Sequence, residues 1–579
     1  MNVEHRKTDI LILGTGGAGL FAALHAHKAA PDLDITIVSK GLLGKCGCTR
    51  MVQGGYNVAL NPGDSIERHF MDTIEGGKWL PHQALAWTLV TTAIERVREL
   101  ENEVGCFFDR NPDGTLHGKA FAGQTFDRTV HKGDLTGIEI INRLAEQVWA
   151  RDITRLEEHR AVALIPAADG NALAGVLMID MRNGDFVFVE ARAVLLATGG
   201  GPTMYKYHTP SGDKSCDGLA MALQAGLALR DIEMVQFHPT GLLAGPGTRM
   251  TGTVLEEGLR GAGGYLLGGD GARFMQTYDP RGERATRDIV SRAMYREIRR
   301  GNVSPYGGLY LEMKHLGPAR VRALFKGMVE RCADCGFDLA GGRVEVIPTA
   351  HYMMGGVVFA PDGATALAGL FAAGEDTGGV HGGNRLGGNG VANSTVFGGI
   401  AGDRMAEWVR AEGRFQPADE RAITAAVARC RVPLNAPPGD VAALREELQE
   451  LMWRDVGILR DRAGLEQAAA ALIDLDRRLD RTGVATQDLA FNLTWHDWLN
   501  LKSLILVSRA IAAASLAREE SRGAHFREDF PTTRPADRDL AFTTVRLAGE
   551  ALSVGFERVR FTRVWPGQSL LPAAAVAHA

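Results

Sequence analysis

A glycine-rich turn near the N-terminus has the spacing of a dinucleotide-binding loop. Gly14, Gly16 and Gly19 form a GxGxxG pattern that follows the apolar run Ile10 to Leu13 and precedes the helix-like GLFAALHAHKAA and the strand-like DITIVSK. The first glycine permits a tight turn, the second lets backbone approach a pyrophosphate, and the third allows close packing of helix on strand. The pattern alone is weak because glycine turns are common, but its place between a strand and a helix predicts a dinucleotide site.

The ends of other predicted strands indicate that distant segments build one nucleotide-binding fold. An acid that binds ribose is expected at the end of the second strand, but Ser39 and Lys40 stand there, which argues against a plain NAD site. Downstream, ARAVLLATGGG from Ala191 and GLFAAGED from Gly369 each read as a buried strand followed by small residues. We therefore expect Glu375 to take the missing ribose-binding role.

Length, composition and charge exclude several classes of protein. The 579 residues are too many for one core, and at about 150 residues per unit they suggest three or four structural units. Hydrophobic residues make up 45% of the chain and charged residues 23%, as in soluble globular proteins, and the 71 glycines follow no collagen period. The formal net charge of -5, with no block of like charges, argues against nucleic acid as a partner.

We expect a cytoplasmic protein, because no targeting signal is recognised and the cysteines do not form a disulfide framework. The apolar stretch from Leu504 is broken by Arg509 and falls short of the roughly 20 residues that span a bilayer, so we expect no direct membrane span. The N-terminus lacks the order of segments found in a signal peptide. The seven cysteines are dispersed, unlike a secreted disulfide framework, and the lone CADC from Cys332 favours incidental thiols over a metal site.

Motifs spread through most of the chain resemble those of one flavoprotein family. They are GTGGAGL, CTRMVQGG, RTVHKGDLTG, LLATGGG, QFHPTG, EEGLRGAGGYL, TRDIVSRA, PTAHYMMGG, HGGNRLGGN and ESRGAHFREDFP. Together they resemble the flavoprotein subunit of succinate dehydrogenase and fumarate reductase, a family that also includes L-aspartate oxidase. The resemblance implies FAD as the cofactor. It also implies interconversion of a small (di)carboxylic acid and its unsaturated form, by hydride transfer to or from flavin with proton transfer by an arginine.

The resemblance further implies an α/β fold with three parts. A Rossmann-like FAD-binding domain is interrupted by an α+β capping domain and followed by a C-terminal helical domain. The expected ranges are 1–240 and 346–412 for the FAD-binding domain, 241–345 for the capping domain, 413–438 for a linker, 439–535 for the helical domain and 536–579 for a C-terminal extension. The helical apolar period of ELQELMWRDVGILRDRAGLEQAAAAL supports the helical domain.

The family's chemistry requires a proton donor or acceptor that faces the substrate carbon opposite the flavin. By resemblance, Arg287 in TRDIVSRA transfers this proton, and Glu257 and Arg260 form the relay that serves it. Because the pKa of arginine lies above about 12, a relay that contains a carboxylate is needed to reload it. Without the flanking motifs, a surface ion network would be the better interpretation of these residues.

Substrate carboxylates must also be held by cations and hydrogen-bond donors. His238 in QFHPTG, His351 in PTAHYMMGG and Arg385 in NRLGGN match substrate-binding positions of the family. The fork of an arginine suits bidentate contact with a carboxylate. Taken singly, each histidine would be interpreted as a structural residue, so this assignment depends on the family context.

Several segments are expected to contact FAD. Gln53, Gly54 and Gly55 of the QGG motif should lie against the isoalloxazine, where the missing Cβ of glycine permits close approach. The full set expected to bind the cofactor is Gly14, Gly16, Gly17, Ala18, Gly19, Ser39, Lys40, Cys48, Thr49, Gln53, Gly54, Gly55, Ala161, Ala197, Thr198, Gly199, Asp217, Glu375, Asn389, Gly390, Val391 and Ala392.

Two departures from the family pattern concern the flavin. Cys48 stands where the dehydrogenase subunits carry the histidine that bonds covalently to flavin, which excludes a histidyl flavin. A small thiol beside noncovalent FAD is favoured over a cysteinyl link, and loss of the bond is expected to favour reduction of fumarate-like acceptors or reaction with oxygen. GGNGVANSTVFGG from Gly387 lacks the usual serine and two leucines, so we expect a flavin pocket with altered packing.

The third departure concerns the substrate. Glu256 replaces the threonine that precedes the relay glutamate and helps to hold a substrate carboxylate in the family. An ionised, poorly solvated carboxylate there would repel a dianion by several kcal/mol. We expect that Glu256 is protonated or turned away, or that the substrate carries an amine, amide or hydroxyl at that end.

Three functional hypotheses stay open at this point. The first is a dehydrogenase or reductase that works with a separate iron–sulfur or other electron-transfer subunit, which could hold the chain peripherally at a membrane. The second is an L-aspartate-oxidase-like amino-acid oxidase that uses oxygen or fumarate, a branch that MWRDVGILRD resembles. The third is a non-catalytic flavin-binding subunit, which the retained Arg287, Glu257 and Arg260 make the least favoured.

Overall fold

Strands and helices alternate up to about residue 390, and helices predominate after it. The description comes from a computed structural model and covers residues 3–246 and 248–572. The strands are β1 (Glu4–Leu13), β2 (Ile35–Val38), β3 (Tyr56–Asn57), β4 (Gly118–Lys119), β5 (Thr129–Val130), β6 (Thr154–Leu156), β7 (His159–Pro166), β8 (Leu173–Asp180), β9 (Phe186–Leu196), β10 (Leu229–Arg230), β11 (Val235–Leu242), β12 (Tyr265–Leu267), β13 (Leu309–Glu312), β14 (Arg343–Met353), β15 (Gly356–Val357), β16 (Leu370–Ala372), β17 (Ala541–Ala548) and β18 (Ala551–Arg558). The α-helices are α1 (Gly17–Ala29), α2 (Ile66–Gly76), α3 (Gln83–Glu99), α4 (Thr136–Trp149), α5 (Asp217–Gln224), α6 (Gly258–Gly261), α7 (Arg287–Arg299), α8 (Pro318–Leu324), α9 (Lys326–Ala333), α10 (Asn389–Ala411), α11 (Glu420–Cys430), α12 (Val432–Asn435), α13 (Val441–Asp455), α14 (Arg462–Asp480), α15 (Leu493–Ala517) and α16 (Ala536–Asp539).

The largest sheet brings three sequence-distant segments to one edge. Its strands follow the order β6-β2-β1-β9-β8-β7, and β16 pairs with the second half of β9. β1 is parallel to both β2 and β9, and β16 is parallel to β9. The carboxyl ends of these strands therefore meet at one edge, where open α/β sheets bind their ligands. Helices α1 and α10 share a buried apolar cluster with β1, β2 and β9.

A second, smaller unit lies between β11 and β14. The antiparallel sheet β11-β14-β13-β12 and the helices α7, α8 and α9 enclose their own apolar core. This unit occupies the range where the capping domain is expected. Strands β11 and β14 run across the expected boundaries at 240/241 and 345/346, so each strand is shared between the two parts.

The C-terminal region contains the helices α13 to α15 and an antiparallel hairpin of β17 and β18. The stretch expected to be a linker contains α11, because Ile423, Ala426, Val427 and Cys430 repeat at helical spacing and are buried in the main core. Helix α15 is longer than its apolar run predicts. Its 25 residues are enough to span a bilayer by length and hydropathy, but 67% of the apolar window is buried inside the protein, as in a core helix.

Candidate functional site

One cavity of about 680 Å³ connects the edge of the large sheet with the smaller unit. Its walls come from the segments that follow β1, β2, β9 and β16 and from residues of β11, α7 and β14. At one end lie the glycine-rich turns, and at the other lie the residues expected to bind substrate. The fold therefore places both predicted sets of residues around one space.

The glycine turn after β1 is shaped by close backbone approach. Gly14 has φ +115°, and a Cβ there would lie 2.0 Å from the carbonyl oxygen of Ala197. A Cβ at Gly19 would lie 1.9 Å from the carbonyl oxygen of Gly14, so this residue packs helix against strand and does not line the cavity. Gly16 is the N-cap residue of α1 and lines the cavity. The end of α1 fits a pyrophosphate, because free N–H groups at a helix N-terminus attract anions.

The end of β2 carries a hydroxyl and a cation, and an acid from another segment faces them. Nζ of Lys40 donates to Oδ2 of Asp217 at 2.8 Å, and Nη2 of Arg160 donates to Oδ1 of the same carboxylate at 2.8 Å. Burial opposes ionisation of Asp217, but the charges of Arg160 and Lys40 hold its pKa below the usual range. Ser39 lines the cavity beside them. A polar wall therefore stands where a ribose is expected.

Glu375 does not stand at the end of β2. It follows β16, which pairs with β9, whereas β2 lies on the other side of β1. Glu375 therefore does not occupy the place of an acid at the end of β2, and its ribose-binding role stays a prediction. Its Oε1 accepts a hydrogen bond of 2.9 Å from the backbone N–H of Met353, and burial raises its pKa to about 7. Glu375 still lines the cavity.

Most of the expected FAD-binding residues line the cavity. The others are Gly19, Asn389 and Ala392. The side chain of Asn389 is used in packing: its Oδ1 accepts from Nδ2 of Asn57 at 2.8 Å and pairs with Nε2 of His69 at 3.0 Å. Ala392 is fully buried in α10. The lining members are Gly14, Gly16, Gly17, Ala18, Ser39, Lys40, Cys48, Thr49, Gln53, Gly54, Gly55, Ala161, Ala197, Thr198, Gly199, Asp217, Glu375, Gly390 and Val391.

The QGG motif forms a close-packed wall of the cavity. A Cβ at Gly54 would lie 2.4 Å from the ring of Phe121, and one at Gly55, where φ is +146°, would lie 2.2 Å from the carbonyl oxygen of Val130. Nε2 of Gln53 donates to the backbone at 3.2 Å, while its buried Oε1 has no partner. A buried amide oxygen without a partner at a glycine wall fits the polar edge of a bound ring system. These residues and the glycine turn therefore fit FAD.

Two turns meet beside the N-terminus of α1. Oγ1 of Thr49 accepts a hydrogen bond of 3.1 Å from the backbone N–H of Gly17. The neighbouring Cys48 lines the cavity, and burial raises the pKa of its thiol to about 12. The thiol is therefore neutral near pH 7 and a poor nucleophile, because the thiolate is the reactive form.

At the other end of the cavity, one carboxylate joins two arginines. Nη2 of Arg287 donates to Oε2 of Glu257 at 2.6 Å and Nε donates to the same oxygen at 3.1 Å. Nη2 of Arg260 donates to Oε1 of Glu257 at 3.0 Å. All three side chains are buried, and Arg287 and Glu257 line the cavity while Arg260 lies behind them. Burial opposes ionisation of Glu257, but the two arginines hold its pKa below its usual value.

Gln236 is a further member of this cluster that the sequence analysis missed. Its Oε1 accepts from Nη1 of Arg287 at 3.0 Å, and its Nε2 donates to the carbonyl oxygen of Arg385 at 2.7 Å. Side chains two apart in a strand share a face, so the position two residues before His238 in β11 was a usable signal. Gln236 therefore links the cluster of Arg287, Glu257 and Arg260 to Arg385.

The two expected substrate-binding histidines face each other. The ring centroids of His238 and His351 are 5.3 Å apart at an interplanar angle of 65°. The hydroxyl of Thr209 and Nδ1 of His351 share a hydrogen bond of 2.9 Å. Burial, reinforced by the charge of Arg287, lowers both pKa values well below the usual range. Both imidazoles are therefore neutral near pH 7 and each has one N–H to donate.

Arg385 is a buried cation with free hydrogen-bonding capacity. Its guanidinium carbon lies 4.3 Å from the ring centroid of Tyr352, and its Nε has no partner. Burial lowers the pKa of Arg385 to about 10, which leaves it charged near pH 7. A charged fork aimed into a cavity suits a carboxylate.

Glu256 also lines the cavity and is not turned away. It is 1% exposed, and its two oxygens lie 3.4 and 3.5 Å from Nζ of Lys119. Burial raises the pKa of Glu256, and the charge of Lys119 opposes this rise. Lys119 was not among the expected site residues, because 137 positions separate the two and no motif joins them.

Comparisons with known proteins identify one flavoprotein family. Residues 9–391 match the FAD binding domain family, and residues 445–572 match the fumarate reductase flavoprotein C-terminal family. The chain is 41% identical over 544 residues to one subunit of the fumarate reductase (CoM/CoB) of Methanothermobacter marburgensis, covering 92% of this chain and 96% of that one. It is 34% identical over 551 residues to the fumarate reductase flavoprotein subunit of Escherichia coli, covering 92% and 90%. A solved structure of a variant E. coli quinol fumarate reductase superposes with a TM-score of 0.91 at 32% identity, covering 98% and 99%.

The protein is a flavin-dependent oxidoreductase with an α/β FAD-binding fold and a helical C-terminal region. It belongs to the succinate dehydrogenase and fumarate reductase flavoprotein family. The relatives favour the dehydrogenase or reductase interpretation over an amino-acid oxidase and over a non-catalytic subunit.

Proposed function

We propose that this chain interconverts fumarate and succinate, and that Arg287 exchanges the proton with the substrate carbon. The observation that carries the proposal is the buried cluster of Arg287, Glu257 and Arg260 in the same cavity as His238, His351 and Arg385. When bound, FAD supplies the hydride acceptor and donor. The lining residues of the glycine turn, the QGG wall and Glu375 would hold it.

Substrate binding in this proposal uses one cation and two neutral donors. Arg385 is charged and has an unpaired N–H, so it can grip one carboxylate. His238 and His351 each donate one hydrogen bond without adding charge. Binding by groups already held in place costs little reorganisation, which favours reaction of the bound acid.

Proton transfer uses the contacts of Glu257. When Arg287 gives a proton to the substrate carbon, the Glu257 carboxylate takes a proton from Arg260 through the hydrogen bond of 3.0 Å. The protonated Glu257 then passes a proton to the neutral guanidine of Arg287 across the contact of 2.6 Å and becomes a carboxylate again, so that the net change is one proton moved from Arg260 to the substrate carbon. Two cations flanking one carboxylate keep the cluster at a net charge of +1, which offsets the negative charge of the bound acid.

The direct test is an anaerobic half-reaction with the purified, FAD-loaded chain. Addition of succinate should bleach the oxidised flavin band, and addition of fumarate to the dithionite-reduced protein should restore it. Aspartate added in place of succinate serves as the comparison. Bleaching by aspartate but not by succinate would replace the proposal with an amino-acid oxidase.

We further propose that FAD is bound without a covalent link. The neutral thiol of Cys48 supports this. Precipitation of the protein with acid should release all of the flavin into the supernatant, and the Cys48→Ala variant should behave in the same way. A protein pellet that keeps yellow colour in the wild type but loses it in Cys48→Ala would contradict the proposal and establish a cysteinyl flavin.

Electrons are proposed to pass to a separate electron-transfer subunit, such as an iron–sulfur protein, which could hold the chain peripherally at a membrane. Both relatives named above are single subunits of fumarate reductases. Met51 and Leu135, about half exposed at 47% and 53%, lie at the cavity wall and offer an apolar contact near the flavin path. With succinate and oxygen alone, the isolated chain should turn over slowly, and an artificial electron acceptor should restore turnover.

A further inference from the structure

We propose that Lys119 is a positioning residue that balances the charge of Glu256 and so allows the substrate site to accept a second carboxylate. The inference rests on the proposed function, because a dicarboxylate is the substrate in question. It concerns a pair of residues whose function neither the motifs nor the relatives assign. The charges of Lys119 and Glu256 together would then determine whether the site accepts a dicarboxylate.

In the described part of the chain, Lys119 is the only hydrogen-bonding partner of the Glu256 side chain. The ammonium group of Lys119 lies 3.4 and 3.5 Å from the two carboxylate oxygens, so it faces both of them evenly. It also donates to the carbonyl oxygen of Gly133 at 2.7 Å. Lys119 lies in β4, opposite Thr129 of β5, so the backbone that carries the lysine is held by a strand pair.

The position of Glu256 makes this balance important. Its side chain is 1% exposed and lines the cavity next to Glu257, the proton-relay carboxylate. Without a counter-charge, a buried anion would repel a second substrate carboxylate in a region of low dielectric constant. With Lys119 in place, the pair is neutral as a unit, and a dianion can approach it.

The other charged groups around Glu256 do not replace Lys119. Asp134 also lines the cavity, and its buried Oδ2 has no partner, so it adds negative charge. Arg331 in α9 is cationic, but one of its Nη atoms donates at 3.1 Å to the carbonyl oxygen of Val254. Arg260 is engaged with Glu257. Lys119 is thus the cation in direct contact with the Glu256 carboxylate.

The test compares the FAD-loaded full chain with Lys119→Met, Glu256→Gln and the double variant. Malonate is the probe, since a dicarboxylate with one methylene between its acid groups has no bond to dehydrogenate. Acetate is its single-carboxylate counterpart. Dissociation constants are read from the change in the spectrum of the oxidised flavin, which is independent of turnover.

In Lys119→Met, malonate should bind at least about 30-fold more weakly near pH 8, because an uncompensated buried charge then faces the ligand. The KM for fumarate should rise in parallel while kcat changes little. Acetate affinity should change less than about threefold, since it brings no second carboxylate. The penalty on malonate should shrink as pH falls, because burial raises the pKa of Glu256 and its protonation removes the repulsion.

The double variant Lys119→Met with Glu256→Gln should recover malonate affinity to within about threefold of the wild type, because no charge is left unpaired. Lys132→Met is the matched control, because that lysine is exposed, follows the paired strand β5 and contacts Asp109 instead. FAD content and thermal unfolding report whether each variant folds.

Unchanged malonate affinity in a folded Lys119→Met variant would overturn the inference, and so would failure of the double variant to recover. Failure of the proposed function gives a different result. In that case the wild-type flavin would respond to neither succinate nor fumarate, whereas malonate binding would still report on the pair.

Discussion

Replacing Arg287 with glutamine should lower the rate of flavin reoxidation by fumarate by about 10³-fold, within the range of about 10² to 10⁴ expected for loss of a general acid. The side chain is 6% exposed, lines the cavity, and is held by Glu257 at 2.6 Å and Gln236 at 3.0 Å. Glutamine keeps a polar amide at this position but has no proton to give at neutral pH. The measurement is a rapid-mixing experiment with the reduced, FAD-loaded protein.

Two further variants separate chemistry from structure in this experiment. Arg299→Gln lies on the same helix, α7, with a side chain 52% exposed, and should leave the rate unchanged. Arg287→Lys keeps the charge but loses the planar fork that reaches both neighbours, so it should lie between wild type and Arg287→Gln. If a folded Arg287→Gln protein with full FAD content reacts within tenfold of the wild-type rate, another group donates the proton.

The motifs predicted the glycine turn and the set of residues around the cavity. Each motif is a local pattern, so its interpretation does not depend on which distant segments meet in space. The turn at Gly14 and Gly16 required a strand before it and a helix after it, and β1 and α1 supply both. The resemblance grouped His238, His351 and Arg385, and the fold brings them to one cavity. These predictions needed only the order of short motifs along the chain.

Other features depended on which segments meet in space. The position of Glu375 relative to β2 depends on the order of strands in the sheet, which no pattern near GLFAAGED contains. The side chain of Asn389, a residue predicted to bind the cofactor, contacts Asn57 and His69 from distant segments, which no local pattern indicates. Lys119 has no motif of its own, and its contact with Glu256 exists only after β4 is placed beside the cavity.

Charge and burial are balanced among the arginines and histidines that are proposed to act on the substrate. Two cations, Arg287 and Arg385, remain near the site, while the histidines stay neutral because the arginines and burial lower their pKa values. If the histidines were charged, the empty cavity would hold a large excess of positive charge at a high desolvation cost. Neutral donors give the site hydrogen bonds without that cost.

Replacing Arg385 with methionine should raise both the KM for fumarate and the dissociation constant of malonate by at least about 30-fold, because loss of a desolvated charge contact costs about 2–5 kcal/mol. Arg385 is 5% exposed, stacks on Tyr352 at 4.3 Å and keeps an unpaired Nε. Methionine is long enough to fill the same space, so cavity formation should be small. The value of kcat at saturating fumarate should fall less than the KM rises, since Arg287 and Glu257 keep their contact.

Arg385→Lys tests whether charge alone accounts for this effect. Lysine preserves the cation but offers no planar pair of donors, so its malonate affinity should lie between those of wild type and Arg385→Met. FAD content must be measured in both variants, because Arg385 packs closely against Gly390, a residue expected to bind FAD. A Cβ at Gly390 would lie 2.8 Å from Nη1 of Arg385. A folded, FAD-replete Arg385→Met protein that binds malonate within threefold of wild type would show that the carboxylate is held elsewhere. The neutral pair of His238 and His351 would then be the first group to test as its binding site, because the guanidinium of Arg287 is already bound to Glu257 and Gln236.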